Sequence, residues 1–466
     1  MKPFIHLFET PQNYYFYDVN RNENVRIEKE LYDYLKKLMY DHDNFVMDDK
    51  IEREVSRLKE EGYLSDNRVK EIEHPATGML DYYLKRKLGL LTIQLTQACN
   101  LRCSYCPYTS NDGSNRLHGN KKISIETIKK ALLLLRDNSV DRDSVTIGFY
   151  GGEPLVEFGL IKETVNYCKE IFQGKEVRYT ITTNGTLISD EVLELFEKEN
   201  FSIVISLDGP KAVNDKNRKF AGSDQSVFDK VVENMDYMYE NYRKIFDRIS
   251  INMVIDPSQD FKKYISLFQD NPNLSKVNIM TAIVEDDYKE DKYVATEAFV
   301  NDYNYPKFLS YLHYFGEIDM SDNKLYRNMF FQSIHKMWRG LQKQTILGTK
   351  NCPSGPCIPG YQRLMVDVEG RLFPCERVSE NIDSNCIGRI ENGFDMGRVE
   401  DVLNIARTVI KNCEDCFAFR HCRLCVKAHD CKVIDEDKIK DRCKNVRYDF
   451  HNELIGREII NEIIMD

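Results

Sequence analysis

Apolar positions over residues 1–85 change period partway along. "FIHLFET" and "YYFYDV" alternate or cluster strand formers around the turn-forming "PQN". "RIEKELYDYLKKLMY" and "DDKIEREVSRLKEEGYL" then repeat apolar residues at helical spacing, the second opening on acids and ending at Gly62. Strands followed by helices predict a winged-helix-like lobe whose sheet keeps an edge open to another strand.

From Leu90 to Val284 strand-like and helix-like segments take turns. "LLTIQLT", "SVTIGFYGGEP", "EVRYTITTNGT", "FSIVISLDGP", "RISINMVID" and "SKVNIMTAIVE" read as six strands, with amphipathic helical stretches between most of them. Alternation of this kind implies parallel pairing with right-handed crossovers, hence an α/β fold built on a partial (β/α)6 TIM-like barrel. The expected division is 1–85 for the first lobe, 86–310 for the barrel, 311–345 for an aromatic helical bridge and 346–466 for a cysteine-rich C-terminal domain.

The chain has 466 residues, 42% hydrophobic and 30% charged, with a net charge of −10. That charge argues against general nucleic-acid binding, which leaves a basic footprint. No apolar run is long enough to span a membrane and the start lacks a signal-peptide pattern, so the expected location is the cytoplasm. In that reducing compartment fourteen cysteines point to metal or redox chemistry rather than disulfides.

Three of those thiols, Cys99, Cys103 and Cys106, crowd into "TQACNLRCSYCPY" directly after the first strand. C-x3-C-x2-C is one ligand short of a closed structural zinc site, whereas a [4Fe–4S] cluster on three cysteines keeps one iron open. The other strand ends carry "GGEP", "TTNG" and "SLDG", and in α/β barrels chemistry gathers at that rim. Together with Tyr105 before the last cysteine, these motifs resemble the radical S-adenosylmethionine (SAM) superfamily. There the open iron chelates SAM, and cleavage gives a 5′-deoxyadenosyl radical. The resemblance implies that Gly151, Gly152 and Glu153 receive the SAM amino group, and that Asn184, Ser206 and Asp208 line its ribose and methionine side. It makes Arg218 a candidate for the SAM carboxylate. For Ser206 and Asp208 an ordinary turn role stays open.

Ten of the fourteen cysteines lie between Cys352 and Cys443. Cys352, Cys357, Gly370 and Cys375, then "CEDCFAFRHCRLC" and Cys443, resemble the SPASM extension of peptide-modifying radical SAM enzymes, which holds two auxiliary [4Fe–4S] clusters. One departure is the two-residue gap between Cys422 and Cys425. The resemblance assigns Cys352, Cys357, Cys375 and Cys425 to the first auxiliary cluster, with Cys431 the substitute for Cys425 or an open site in place of Cys352. Cys413, Cys416, Cys422 and Cys443 go to the second. Zinc would satisfy the same thiols. Cys168, on an apolar helix face, reads as a buried small hydrophobe, and Cys386 has no assignment.

Before such a pair of domains, the first lobe resembles the recognition element that binds the leader of a ribosomally made peptide by strand addition. The opening segment and "CIPGYQRLMVDVEGRLFPCERV" are most similar to maturases of cysteine-rich peptides, the thioether-forming ranthipeptide and sactipeptide type. The implied partners are a cysteine-rich precursor peptide and a ferredoxin- or flavodoxin-type electron donor. The implied cofactors are SAM and three [4Fe–4S] clusters. Glu376 is the candidate base, its alternative being a salt bridge to Arg377. Carbon–carbon linkage, or oxidation of a protein side chain as in sulfatase maturases, is the rival chemistry, and a zinc-rich peptide-binding scaffold the non-enzymatic one.

Overall fold

The computed structural model describes residues 2–40, 48–106, 108, 118–284, 293–320, 341–429 and 436–465. Its centre is a ten-stranded sheet. Strands β5 (Leu90–Thr96), β6 (Ser144–Gly151), β7 (Glu176–Thr183), β8 (Ser202–Ser206), β9 (Ile249–Ile255) and β10 (Asn278–Ile283) lie side by side in chain order, every neighbouring pair parallel. Leu91, Ile93 and Leu95 of β5 are completely buried in the main core. Thr92 lies on the opposite face, where its hydroxyl and that of Thr180 flank Gly148.

Helices cross between the strands, and local sequence sets where they begin. Ser124 caps α4 (Ile125–Asp137), Ser189 caps α6 (Asp190–Lys198) and Ser226 caps α8 (Val227–Asn241), each side-chain oxygen accepting a first-turn N–H. Cys168 on the helix Phe158–Ile171 is fully buried among core residues.

The first lobe contains a strand that the helical pattern conceals. β1 (Ile5–Glu9), β2 (Tyr14–Asp18) and β3 (Glu23–Ile27) form an antiparallel meander, so Arg26 and Ile27 close a strand instead of opening a helix. Helices α1 (Lys29–Tyr40) and α2 (Asp49–Glu60) cover one face of it, in a core of Ile5, Leu7, Phe16, Leu31, Leu35 and Leu58. Gly62 follows α2 at φ +88°, the left-handed stop expected there.

The other face is not free. Phe8, Tyr15 and Tyr17 pack against Cys416, Ala418, Phe450 and Leu454 of the C-terminal part. The lobe's own core ends near Leu64, earlier than the expected boundary at residue 85. β4 (Glu71–Ile72) pairs with β11 (Lys350–Asn351), and the helix Leu80–Arg86 joins the main core through Leu80 and Leu84.

Of the expected bridge, residues 321–340 lie outside the described residues; a helix Glu297–Tyr314 precedes them and residues 341–349 are irregular. Beyond, β12 (Met365–Val366) adds in parallel to β5, and β13 (Arg371–Phe373), β14 (Gly388–Arg389) and β15 (Gly393–Phe394) continue antiparallel. The cysteine-rich region therefore extends the parallel sheet directly. A last helix, Glu436–Met465, runs back beneath β1. Among the described residues no helix is long and apolar enough to cross a membrane.

Candidate active site

The loop carrying Cys99, Cys103 and Cys106 is held from two sides. On one side the "GGEP" turn grips it by backbone: Gly152 N donates to Thr96 O (2.7 Å) and Glu153 N to Ala98 O (2.9 Å). A Cβ on Gly151 would stand 2.4 Å from Thr96 O, and one on Gly152 2.0 Å from Ala98 O. These glycines permit two loops to touch.

On the other side residues 217–221 run antiparallel to the loop. Ser104 N donates to Asn217 O, Arg102 N to Lys219 O and Ala221 N to Asn100 O, all at 2.8 Å, with Leu101 bridging Phe220. Nothing in the local sequence pattern of "NRKFA" announces this strap, because its partner lies more than a hundred residues upstream.

Glu153 is buried, and its carboxylate accepts from Thr183 Oγ1 (2.7 Å), Asn184 N (2.7 Å) and Leu155 N (3.1 Å). Desolvation pushes its pKa up while those three donors pull it down. The acid thus ties "GGEP" to "TTNG". Asn184 Nδ2 donates to Asn100 Oδ1 (2.8 Å) and lies 4.0 Å from Cys99 Sγ. Ser206 ends β8, half-buried and opposite Asn252.

Asp208, fully buried, receives Arg218 Nε (2.9 Å) and Nη2 (3.2 Å), the Tyr105 hydroxyl (2.5 Å) and Val254 N (3.2 Å). Burial alone works against the Arg218 charge, and Asp208 more than offsets it, so the guanidinium is held more firmly protonated than usual. The Nε/Nη2 edge of Arg218 is spent on Asp208, which leaves Nη1 as its other donor group.

Burial pushes the Cys99 thiol up to about 11 and the Cys103 thiol to about 12. Metal ligation replaces that proton. The surroundings suit the resulting negative sulfur: Leu101 N donates to Cys99 Sγ (3.3 Å), and Arg218 Nη1 stands 3.9 Å from Cys103 Sγ. Three thiols in one loop, two of them facing N–H donors, fit a cluster with three protein ligands. Among the described residues no three His, Cys, Asp or Glu side chains stand close enough to share a single metal ion.

The C-terminal thiols fall into two groups. Cys357 and Cys375 both face Cys425. The turn at Gly370 (φ +76°) between β12 and β13 leads towards Cys375. A Cβ on Gly355 would meet Leu424 O at 2.1 Å, so the 352–357 loop lies flat against the segment carrying Cys425. Cys425 lies near Cys422 as well as near this group, and Cys431 lies outside the described residues. In the second group Cys413 is raised by burial and by the thiols of Cys416, Cys422, Cys443 and Cys352. Cys352 shares an apolar cluster with Cys413, Cys422 and Cys443. Leu424, next to Cys425, belongs to the same cluster. Cys386 is buried and donates to Gly388 O (3.2 Å).

Glu376 forms an ion pair with Arg363 and is among the charges facing Cys375. A second carboxylate escaped sequence reasoning. Glu380, buried, accepts from Gln94 Nε2 of β5 (2.5 Å) and from the Tyr108 hydroxyl (3.3 Å), while Val368 N donates to Gln94 Oε1 (3.1 Å). It links the region after Cys375 to the strand that leads into the first cysteine loop. No spacing signals this, since 286 residues separate the pair.

Residues 93–270 match the family model of the Radical SAM superfamily. The protein MJ0907 of Methanocaldococcus jannaschii is 32% identical over 38% of this chain and 58% of its own length. A cysteine-type anaerobic sulfatase-maturating enzyme of Clostridium novyi is 26% identical over 72% of this chain and 87% of its own length. The radical SAM cyclopropyl synthase TigE of Paramaledivibacter caminithermalis is 23% identical over 57% of this chain. The chain spans only 58% and 59% of the lengths of MJ0907 and TigE. Among solved structures, native anSMEcpe with bound AdoMet and the Cp18Cys peptide superimposes with a TM-score of 0.53 at 18% identity, over 80% of this chain and 99% of that one. The fold is therefore shared.

Proposed function

We propose that this chain is a radical SAM maturase that forms thioether crosslinks, from cysteine sulfur to a side-chain or α-carbon, in a ribosomally made, cysteine-rich precursor peptide. The observation that carries the reading is the continuity of one sheet between two thiol sites. β5 delivers Cys99, Cys103 and Cys106; β12, its parallel neighbour, begins the hairpin that leads to Cys375 beside Cys425 and Cys357.

Cys99, Cys103 and Cys106 would hold the SAM-binding cluster, Cys357, Cys375 and Cys425 a first auxiliary one, and Cys413, Cys416, Cys422 and Cys443 a second. With SAM bound, such a site supplies one-electron chemistry that removes a hydrogen atom from an unactivated carbon. The chain's own part is positioning. "GGEP" and the 217–221 strap fix the cysteine loop, and Asn184, Ser206 and Asp208 line the rim where SAM would sit. Glu376, facing Cys375, accepts the proton of the substrate thiol.

The precursor's leader would add as a strand to the edge of β3, where backbone bonds supply affinity. A groove of about 390 Å³ that includes Leu31, Ile51, Arg53 and Arg57 lies beside the end of that strand. A ferredoxin- or flavodoxin-type protein is the proposed electron donor. Support comes from the Radical SAM match and from two peptide-linked relatives, the sulfatase-maturating enzyme and the anSMEcpe structure with its peptide.

The 26% identity spanning most of that maturating enzyme favours a second reading, oxidation of a protein side chain without a thioether. Incubating reconstituted enzyme, SAM and reductant with a cysteine-rich precursor decides between them. A thioether removes two hydrogens per link, so the peptide should lose about two mass units and one alkylatable cysteine each time. Crosslinked peptide with every cysteine still alkylatable overturns the thioether, and a colourless, iron-free protein after anaerobic purification overturns the enzyme in favour of a zinc scaffold.

A further inference from the structure

The 217–221 strap does more than bind backbone. Arg218 extends from it to the cysteine loop, 7% exposed, with its Cζ 5.6 Å from the Tyr105 ring centre and Nη1 3.9 Å from Cys103 Sγ. Nε and Nη2 are fastened to Asp208, which Tyr105 and Val254 N hold in turn. The guanidinium therefore has one orientation, and its remaining edge faces the sulfur.

We infer that Arg218 is a positioning residue for the ligand Cys103: fixed by Asp208, it donates through Nη1 to the thiolate and raises the reduction potential of the site. Reduction adds a negative charge, and a buried cation with an N–H aimed at a ligand sulfur stabilises the reduced state more than the oxidised one. A low-dielectric surrounding strengthens that effect. Asp208 tempers it by neutralising part of the charge, and Tyr105 fixes where Asp208 points. The inference rests on the reading that Cys99, Cys103 and Cys106 hold a cluster.

The test uses the full chain with its clusters reconstituted, comparing wild type, Arg218→Lys and Arg218→Gln. The reduction potential is followed through the electron paramagnetic resonance signal that changes on adding SAM, and SAM affinity is measured separately. Arg218→Gln should move that potential to more negative values and Arg218→Lys should fall between, with SAM affinity changing by less than about threefold. An unmoved potential in both variants overturns the inference, and SAM binding weakened about tenfold at that unmoved potential would make Arg218 a SAM-carboxylate ligand instead. Where Arg218→Gln loads no iron, the lysine variant decides. The underlying reading fails separately: a Cys99→Ala, Cys103→Ala, Cys106→Ala protein with wild-type iron content and an unchanged SAM-sensitive signal would remove the cluster from this loop.

Discussion

The imidazole of His6 on β1 stacks on the ring of Phe417, centroids 3.6 Å apart and planes 6° from parallel. Phe417 follows Cys416, so the first lobe sits directly on the second group of thiols. His6 Nε2 also lies 2.9 Å from His451 Nδ1 on the last helix, and Phe450 stacks against His421 at 4.3 Å.

Removing residues 1–64, the lobe with its own core, should therefore do more than abolish leader binding. It uncovers Cys416, Ala418, Phe450 and Leu454, which pack against Phe8, Tyr15 and Tyr17. The truncated protein should lose up to about one-third of its iron, assuming three four-iron clusters, and melt at lower temperature. Iron analysis and a thermal scan check this; full iron content in the truncated protein would show the lobe to be separable.

His6 also makes stability depend on pH. Burial, followed by the facing His451, lowers its pKa from 6.5 to about 3, so the folded protein keeps the ring neutral while the unfolded chain takes up a proton near 6.5. Its contribution is complete above 6.5 and is lost progressively as pH falls from 6.5 towards 3. His6→Phe keeps a ring on Phe417 and removes that titration. Its melting temperature should fall less than that of wild type between about pH 7 and pH 5.

Gly152→Ala places a methyl 2.0 Å from Ala98 O, inside hard contact with backbone. The cysteine loop must shift, so the variant should fold with its auxiliary iron yet lose SAM-dependent 5′-deoxyadenosine formation by more than about a hundredfold. Gly159→Ala, where nothing lies within 4 Å, is the matched control and should behave as wild type.

Glu376 and Glu380 should separate by readout. Glu376→Gln breaks a half-exposed ion pair with Arg363, which alone costs under about 1 kcal/mol, so stability should hold while crosslinking falls at least tenfold and its pH profile shifts. Glu380→Gln disturbs a buried network with Gln94 and Tyr108 and should lower melting temperature measurably. Equal melting temperatures for wild type and Glu380→Gln would show that the buried carboxylate carries no packing load.

Replacing Cys99, Cys103 and Cys106 together by Ala should abolish SAM cleavage while roughly two-thirds of the iron stays, on the same three-cluster assumption. Retained 5′-deoxyadenosine formation would move the SAM site elsewhere.

Information held within a few turns of chain was legible from sequence alone. The six parallel strands and the Gly62 stop follow from periodicity and local hydrogen bonding, which act over three or four residues. β3 was missed for the same reason: Arg26 and Ile27 fit a helical spacing, and only pairing with Tyr14 and Tyr15 makes them a strand. The three-thiol loop was visible because its ligands fall within eight residues.

What tertiary structure alone decided is every relationship that joins distant chain. The company Cys352 keeps, the meeting of Glu380 with Gln94, the approach of Arg218 to Cys103 and the seat of His6 on Phe417 each join segments far apart in sequence. Spacing along the chain carries no record of such pairs. They form because the sheet brings β12 beside β5 and because buried polar groups must find a partner wherever the packed core presents one.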